Sequence, residues 1–114
     1  MKTIYLNLTP YKSLHGGALV GKEFGEYVKE QLNLKKVVSM IKKNEELELE
    51  IQFPNDVYTI SDSFLKGFLS DAYDYLGYDT FTARVKFFTN CEPLKKNLDN
   101  DMKGFIEMLK RINK

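Results

Sequence analysis

Leu47-Glu48-Leu49-Glu50-Ile51-Gln52-Phe53-Pro54-Asn55 is the stretch that decides the fold class. Its apolar residues recur at every second position with Glu48, Glu50 and Gln52 between them, the period of a strand buried on one face and wet on the other. Pro54 and Asn55 stop it. On the downstream side Phe64, Leu65, Phe68, Leu69, Ala72 and Leu76 change the period to that of a helix. Ser61 or Asp62 stands ready to cap its first N–H groups and Gly77 to close it. Upstream, Val20, Phe24, Tyr27, Val28 and Leu32, then Val37, Val38 and Ile41, predict a second helix that kinks after Asn33.

Working outward, residues 3–8 alternate Ile4, Leu6 and Leu8 with polar neighbours, and residues 81–88 place Phe81, Ala83, Val85 and Phe87 opposite Arg84 and Lys86. Both read as strands. Residues 9–19 hold Pro10, Ser13, His15, Gly16 and Gly17 and read as an irregular loop, and residues 56–61 as a turn. A last helix carries Leu94, Leu98, Met102, Phe105, Leu109 and Ile112 inward. The order is β-α-β-α-β-α, a two-layer α/β domain spanning residues 1–114. Strands joined through helices run parallel or in a mostly parallel mixed sheet, and their alternation places every helix on one face. The other face is expected to show Tyr5, Asn7, Glu48, Glu50, Gln52, Arg84, Lys86 and Phe88.

With 114 residues, 43% of them hydrophobic, the chain has material for one modest core. A formal charge of +1 lacks the footprint of a dedicated nucleic-acid or anionic-membrane binder, and no apolar run is long enough to span a bilayer. One cysteine forbids an internal disulfide, and the first 20 residues lack the continuous apolar stretch of a signal peptide, so a cytoplasmic location is expected.

Chemistry-bearing motifs are sparse. Gly16, Gly21 and Lys22 have the spacing of a phosphate-binding loop, but Glu23 stands where a Ser or Thr would hold magnesium. Gly17, Gly21 and Gly25, four apart, either line one stripe or leave Gly17 in the loop while the other two let the helix sit close to the sheet. A lone His15 and a lone Cys91 cannot build a His/Cys metal site, and no paired acid and base falls on a common segment. No catalytic residue, metal or cofactor is therefore assigned. The charge is uneven: residues 1–43 carry a net +5, 44–79 a net −8 and 80–114 a net +4. In the acidic part Asp71, Tyr73, Asp74, Tyr75, Tyr78 and Asp79 interleave carboxylates with tyrosines, which suits either a protein interface, with Asp71, Asp74, Tyr75, Tyr78 and Asp79 exposed, or a solvated helix end. The Lys pairs at 35–36, 42–43 and 95–96 read as solvated helix surface.

Val20-Gly21-Lys22-Glu23-Phe24 and Tyr58-Thr59-Ile60-Ser61-Asp62-Ser63-Phe64-Leu65 resemble a known family, the STAS-like domain of unknown function. These are small bacterial and phage proteins related to sulphate-transporter and anti-sigma-antagonist domains. The resemblance runs from about Leu14 to Ile112 in the order of its parts: a glycine-bearing loop, a glycine and phenylalanine at a helix start, an alternating strand, and S-F-L at Ser63, Phe64 and Leu65. Val20 replaces the usual Ser. In anti-sigma antagonists the corresponding turn holds a serine that a partner kinase phosphorylates. Aligned on it, Asp62 takes the phosphoacceptor position, Ser63 the second serine, and Phe64 replaces Gly. The resemblance thus implies a non-catalytic regulatory interaction module with a turn at Tyr58, Ser61, Asp62 and Ser63. Its implied partner is an ATPase- or kinase-like or anti-sigma-like protein, and the chain is expected to be a monomer or weak homodimer. Asp62 and Ser63 are also natural helix-capping residues, and Ser63 keeps a hydroxyl that accepts phosphate. Two other functions stay open: a small-molecule or nucleotide-binding domain using the loop of Gly16, Gly17 and Gly21, and a phage-encoded inhibitor of a host defence protein.

Overall fold

A computed structural model of the chain describes residues 2–11 and 17–112. The sheet is built from β1 (Lys2–Asn7), β3 (Leu47–Gln52) and β5 (Val85–Phe88), in the order β1-β3-β5 with both pairs parallel. Ile4 is opposite Leu49 and Leu6 opposite Ile51, while Val85 and Phe87 take the same pair from the other side. Leu49, Ile51 and Val85 are buried, so the expected register of the inner face holds. Tyr5 is 61% exposed on the reverse face. A second pair of short strands, β2 (Ala18–Leu19) and β4 (Thr59–Ile60), is also parallel. Both fall where the sequence reads as loop and turn, because two residues carry no detectable period.

The helices are α1 (Lys22–Gln31), α2 (Leu34–Lys43), α3 (Asp62–Leu76), α4 (Tyr78–Arg84) and α5 (Glu92–Ile112). The expected kink after Asn33 is a full break: Asn33 takes φ 51°, ψ 49°, and a left-handed residue ends one helix and begins another. The first helix starts at Lys22, two residues later than its apolar period suggests, because Gly21 with φ 96° is its N-cap. Tyr27, read as inward, is instead 51% exposed and packs edge-on against Tyr11 and flat on Phe24.

The largest correction lies at residues 81–84, which are helix and not strand. Gly77, at φ 84°, ψ 164°, ends α3 and caps α4, so the chain turns between two helices where the sequence suggested a clean stop. Thr82 Oγ1 donates back to the Tyr78 carbonyl at 2.8 Å, and Phe81 is buried against Tyr73 at a centroid distance of 5.5 Å. The alternation Phe81, Ala83, Val85, Phe87 joined two unlike segments, and Ala83 is exposed.

Arg84 is consequently not on the open face of the sheet. Its Nε donates to the Leu47 carbonyl at 2.9 Å, and its Nη2 donates to the carbonyls of Ile41 and Asn44. One guanidinium thus closes the C-terminal end of α2 and ties it to the start of β3. α1 and α3 meet more closely than any other helix pair. A Cβ on Gly25 would stand 2.2 Å from the Phe64 carbonyl oxygen, and one on Gly67 would stand 2.1 Å from that of Lys22. Gly25 therefore serves contact with a helix and not, as expected, with the sheet.

Candidate functional site

Two parallel strand-turn-helix units lie side by side. β2 leads through Gly21 into α1, and β4 leads through Ser61 into α3. Gly25 faces Phe64, and Lys29 Nζ reaches Asp71 Oδ2 at 2.7 Å, so the two helices run in the same direction and their N-termini sit together. Ser61 joins them. Its Oγ accepts from Phe64 N at 3.1 Å as the α3 cap and from Gly21 N at 3.4 Å at the start of α1. The Oγ of exposed Ser63 is 3.1 Å away.

The turn predicted to be functional is therefore a real structural unit, with its roles divided. Ser61 is the capping residue, whereas Asp62 and Ser63 occupy the first turn of α3 with exposed side chains. Tyr58 is 55% exposed, and its ring lies over Gly17, where an added Cβ would approach the Tyr58 Cε1 to 2.1 Å. Tyr58 N also donates to the Gly17 carbonyl at 2.8 Å. Of the residues named for a ligand loop, Gly17 is thus covered by a tyrosine and the N–H of Gly21 is committed to Ser61. Gly16 and His15 lie outside the described residues.

The acidic and aromatic residues of 71–79 do not form one surface. Tyr73 is core. Asp71 is held by Lys29, and Lys42 Nζ lies 4.4 Å from the centroid of Tyr75 while donating to the Tyr75 carbonyl at 2.9 Å. Both border a groove of about 580 Å³ between α1, α2 and α3, floored by Leu34, Val38 and Ala72. Tyr78 instead lies under Lys110 of α5, 4.6 Å from its Nζ, beside a second hollow between α4, β5 and α5. Asp74 and Asp79 are exposed. The sequence singles out neither Lys29 nor Lys110, and Lys42, read from it as solvated helix surface, is instead engaged with Tyr75. The missed signal is Gly67, a glycine inside an apolar helix that costs about 1 kcal/mol unless another backbone needs the space. Knowing that α1 packs there would have placed Lys29 opposite Asp71.

Among the described residues, no group of three or more His, Cys, Asp or Glu side chains converges to hold a metal ion, and no helix is long and apolar enough to cross a membrane. No family model, no curated protein and no solved structure matches the chain.

Proposed function

We propose that the chain is a non-catalytic, cytoplasmic regulatory module of STAS-like type that binds an ATPase- or kinase-like or anti-sigma-like protein through the turn at Tyr58, Asp62 and Ser63. Negative charge on Ser63 controls that binding. The observation that supports this reading is the division of labour between the two serines: Ser61 caps the helix, so the exposed Ser63 hydroxyl is not needed for the cap. A phosphate on Ser63 would bring a charge of roughly −1.5 to −2 to a place where two helix N-termini offset it. It would disturb the fold little and change the exposed surface greatly, which is what a switch requires.

The test replaces Tyr58 with a photo-crosslinking benzoylphenylalanine in cells that make the native partner. One ATPase- or anti-sigma-type protein should crosslink, survive Ser63→Ala and be lost on Ser63→Asp, with the melting temperature of both variants retained. A crosslink indifferent to Ser63→Asp would overturn the reading. Strong stabilisation by a nucleotide, which raises apparent stability by RT ln(1 + [L]/Kd), would favour the ligand-binding alternative instead.

A further inference from the structure

The sheet has two outer edges, and they are built differently. β5 is four residues long, carries Lys86, and follows α4 directly, so that the Val85 N–H is committed to the Phe81 carbonyl. The Phe88 carbonyl accepts from Phe53 N, which by the period of the strand turns Lys86 toward β3 as well and leaves only Phe87 with both backbone groups facing outward. β1 has none of these protections. It is six residues long, contains no proline, carries its one charge at the first position, and keeps its register with β3 without interruption. The N–H groups of Lys2 and Leu8 donate to the carbonyls of Glu46 and Gln52, so the even-numbered residues serve β3, and the N–H and C=O of Thr3, Tyr5 and Asn7 point away from it. Among the described residues, no strand pairs with these groups. Ile4 and Leu6 are only half-buried, although Leu49 and Ile51 beside them in the register are fully buried. A long edge of this kind is a template for another strand. We infer that β1 pairs antiparallel with β1 of a second copy of the chain, joining two sheets into one.

The residues of the edge select a copy of themselves. A twofold axis through Tyr5, perpendicular to the sheet, sets Tyr5 opposite Tyr5 of the second copy and Thr3 opposite its Asn7. In this register all three outward-facing residues form the pairs that exchange both backbone hydrogen bonds. Ile4 then stands beside Leu6 of the second copy in the closer, non-hydrogen-bonded position, so the half-buried apolar pair of each sheet covers that of the other. On the reverse face the two Tyr5 rings become cross-strand neighbours. A register shifted by two residues leaves one of the three without a partner, and a shift by one sets inner-face residues opposite outer-face ones. Residues 3–7 carry no charge, so the pairing brings no like charges together along the edge. An interface this small gives a weak dimer that forms as concentration rises.

No residue of the regulated turn enters this inference, and its test is separate. The full chain is followed by sedimentation equilibrium and by amide hydrogen exchange, each over a range of protein concentration. A dimer should appear as concentration rises, and the amides of Thr3, Tyr5 and Asn7 should then slow about tenfold or more, while those of Ile4 and Leu6, bonded to β3 in the monomer, change little. Tyr5→Pro removes an outward N–H that β3 does not use, and should abolish association while circular dichroism shows the fold retained. Tyr5→Lys leaves the backbone unaltered and sets two charges face to face. It should weaken dimerisation about tenfold or more, with part of the loss recovered as salt rises. A chain that stays monomeric at NMR concentrations, concentration-dependent protection at residues 85–88 instead of 3, 5 and 7, or undiminished dimerisation of the folded Tyr5→Lys variant would each overturn the inference.

Discussion

Gly25 and Gly67 show how much a single hydrogen in place of a methyl can decide. Each would drive a Cβ into the backbone of the opposite helix, and backbone cannot swing aside as a side chain does. Gly25→Ala and Gly67→Ala should each cost about 3 kcal/mol, the upper part of the usual range for overpacking, and lower the melting temperature by about 10 °C. The double variant should lose clearly less than the sum of the two, because one separation of the helices relieves both clashes. Calorimetry of the three variants checks this. Gly104→Ala is the control: nothing lies within 4 Å of its added Cβ, and removal of a helical glycine should stabilise by a few tenths of a kcal/mol up to about 1 kcal/mol.

At the scale of elements, Arg84 has the widest reach. Three carbonyls from the end of α2 and the start of β3 converge on one guanidinium. Arg84→Met should cost about 3 kcal/mol, since hydrogen bonds to a charged donor contribute about 1.5–3 kcal/mol and part-buried acceptors lose their partner. Arg84→Lys should recover less than half of this, because a point charge on a flexible stem cannot match a planar fork. Urea midpoints at constant m-value are the measurement. The same residue marks where the sequence stopped being legible. Alternation over 47–53 was unambiguous because it repeats at every step and ends at Pro54, and the Ser61 cap was equally plain, with apolar helical spacing beginning directly after it. Residues 81–84 misled because a seven-residue helix placed Phe81 four positions before Val85, in step with the strand that follows. The turn at Tyr58, Ser61 and Ser63 was legible as a helix start. That it adjoins a second helix start depends on pairing between residues about 40 apart, which no local pattern encodes.

For the molecule as a whole, stability should be concentrated where central strand and central helix face one another. β3 has a strand on each side, and α3 packs against α1, α2, α4 and α5. In native-state hydrogen exchange, amides of residues 49–52 and 65–69 should be the slowest and report global unfolding, while those of Ala18 and Leu19 exchange at least about a hundredfold faster. Uniform protection across the chain would contradict this. The parallel register also has a consequence for how the protein is made. Lys2 pairs with Leu47 and Asn7 with Gln52, so no strand of the sheet can form a hairpin with its successor. At about 5–20 residues per second, a ribosome takes roughly 2–9 s to produce the partner of β1 after β1 itself. Throughout that interval Ile4 and Leu6 belong to an unpaired strand on a nascent chain, open to chaperones and to neighbouring chains on the same message, and the protein's exposure to misassembly is greatest before its middle third has been synthesised.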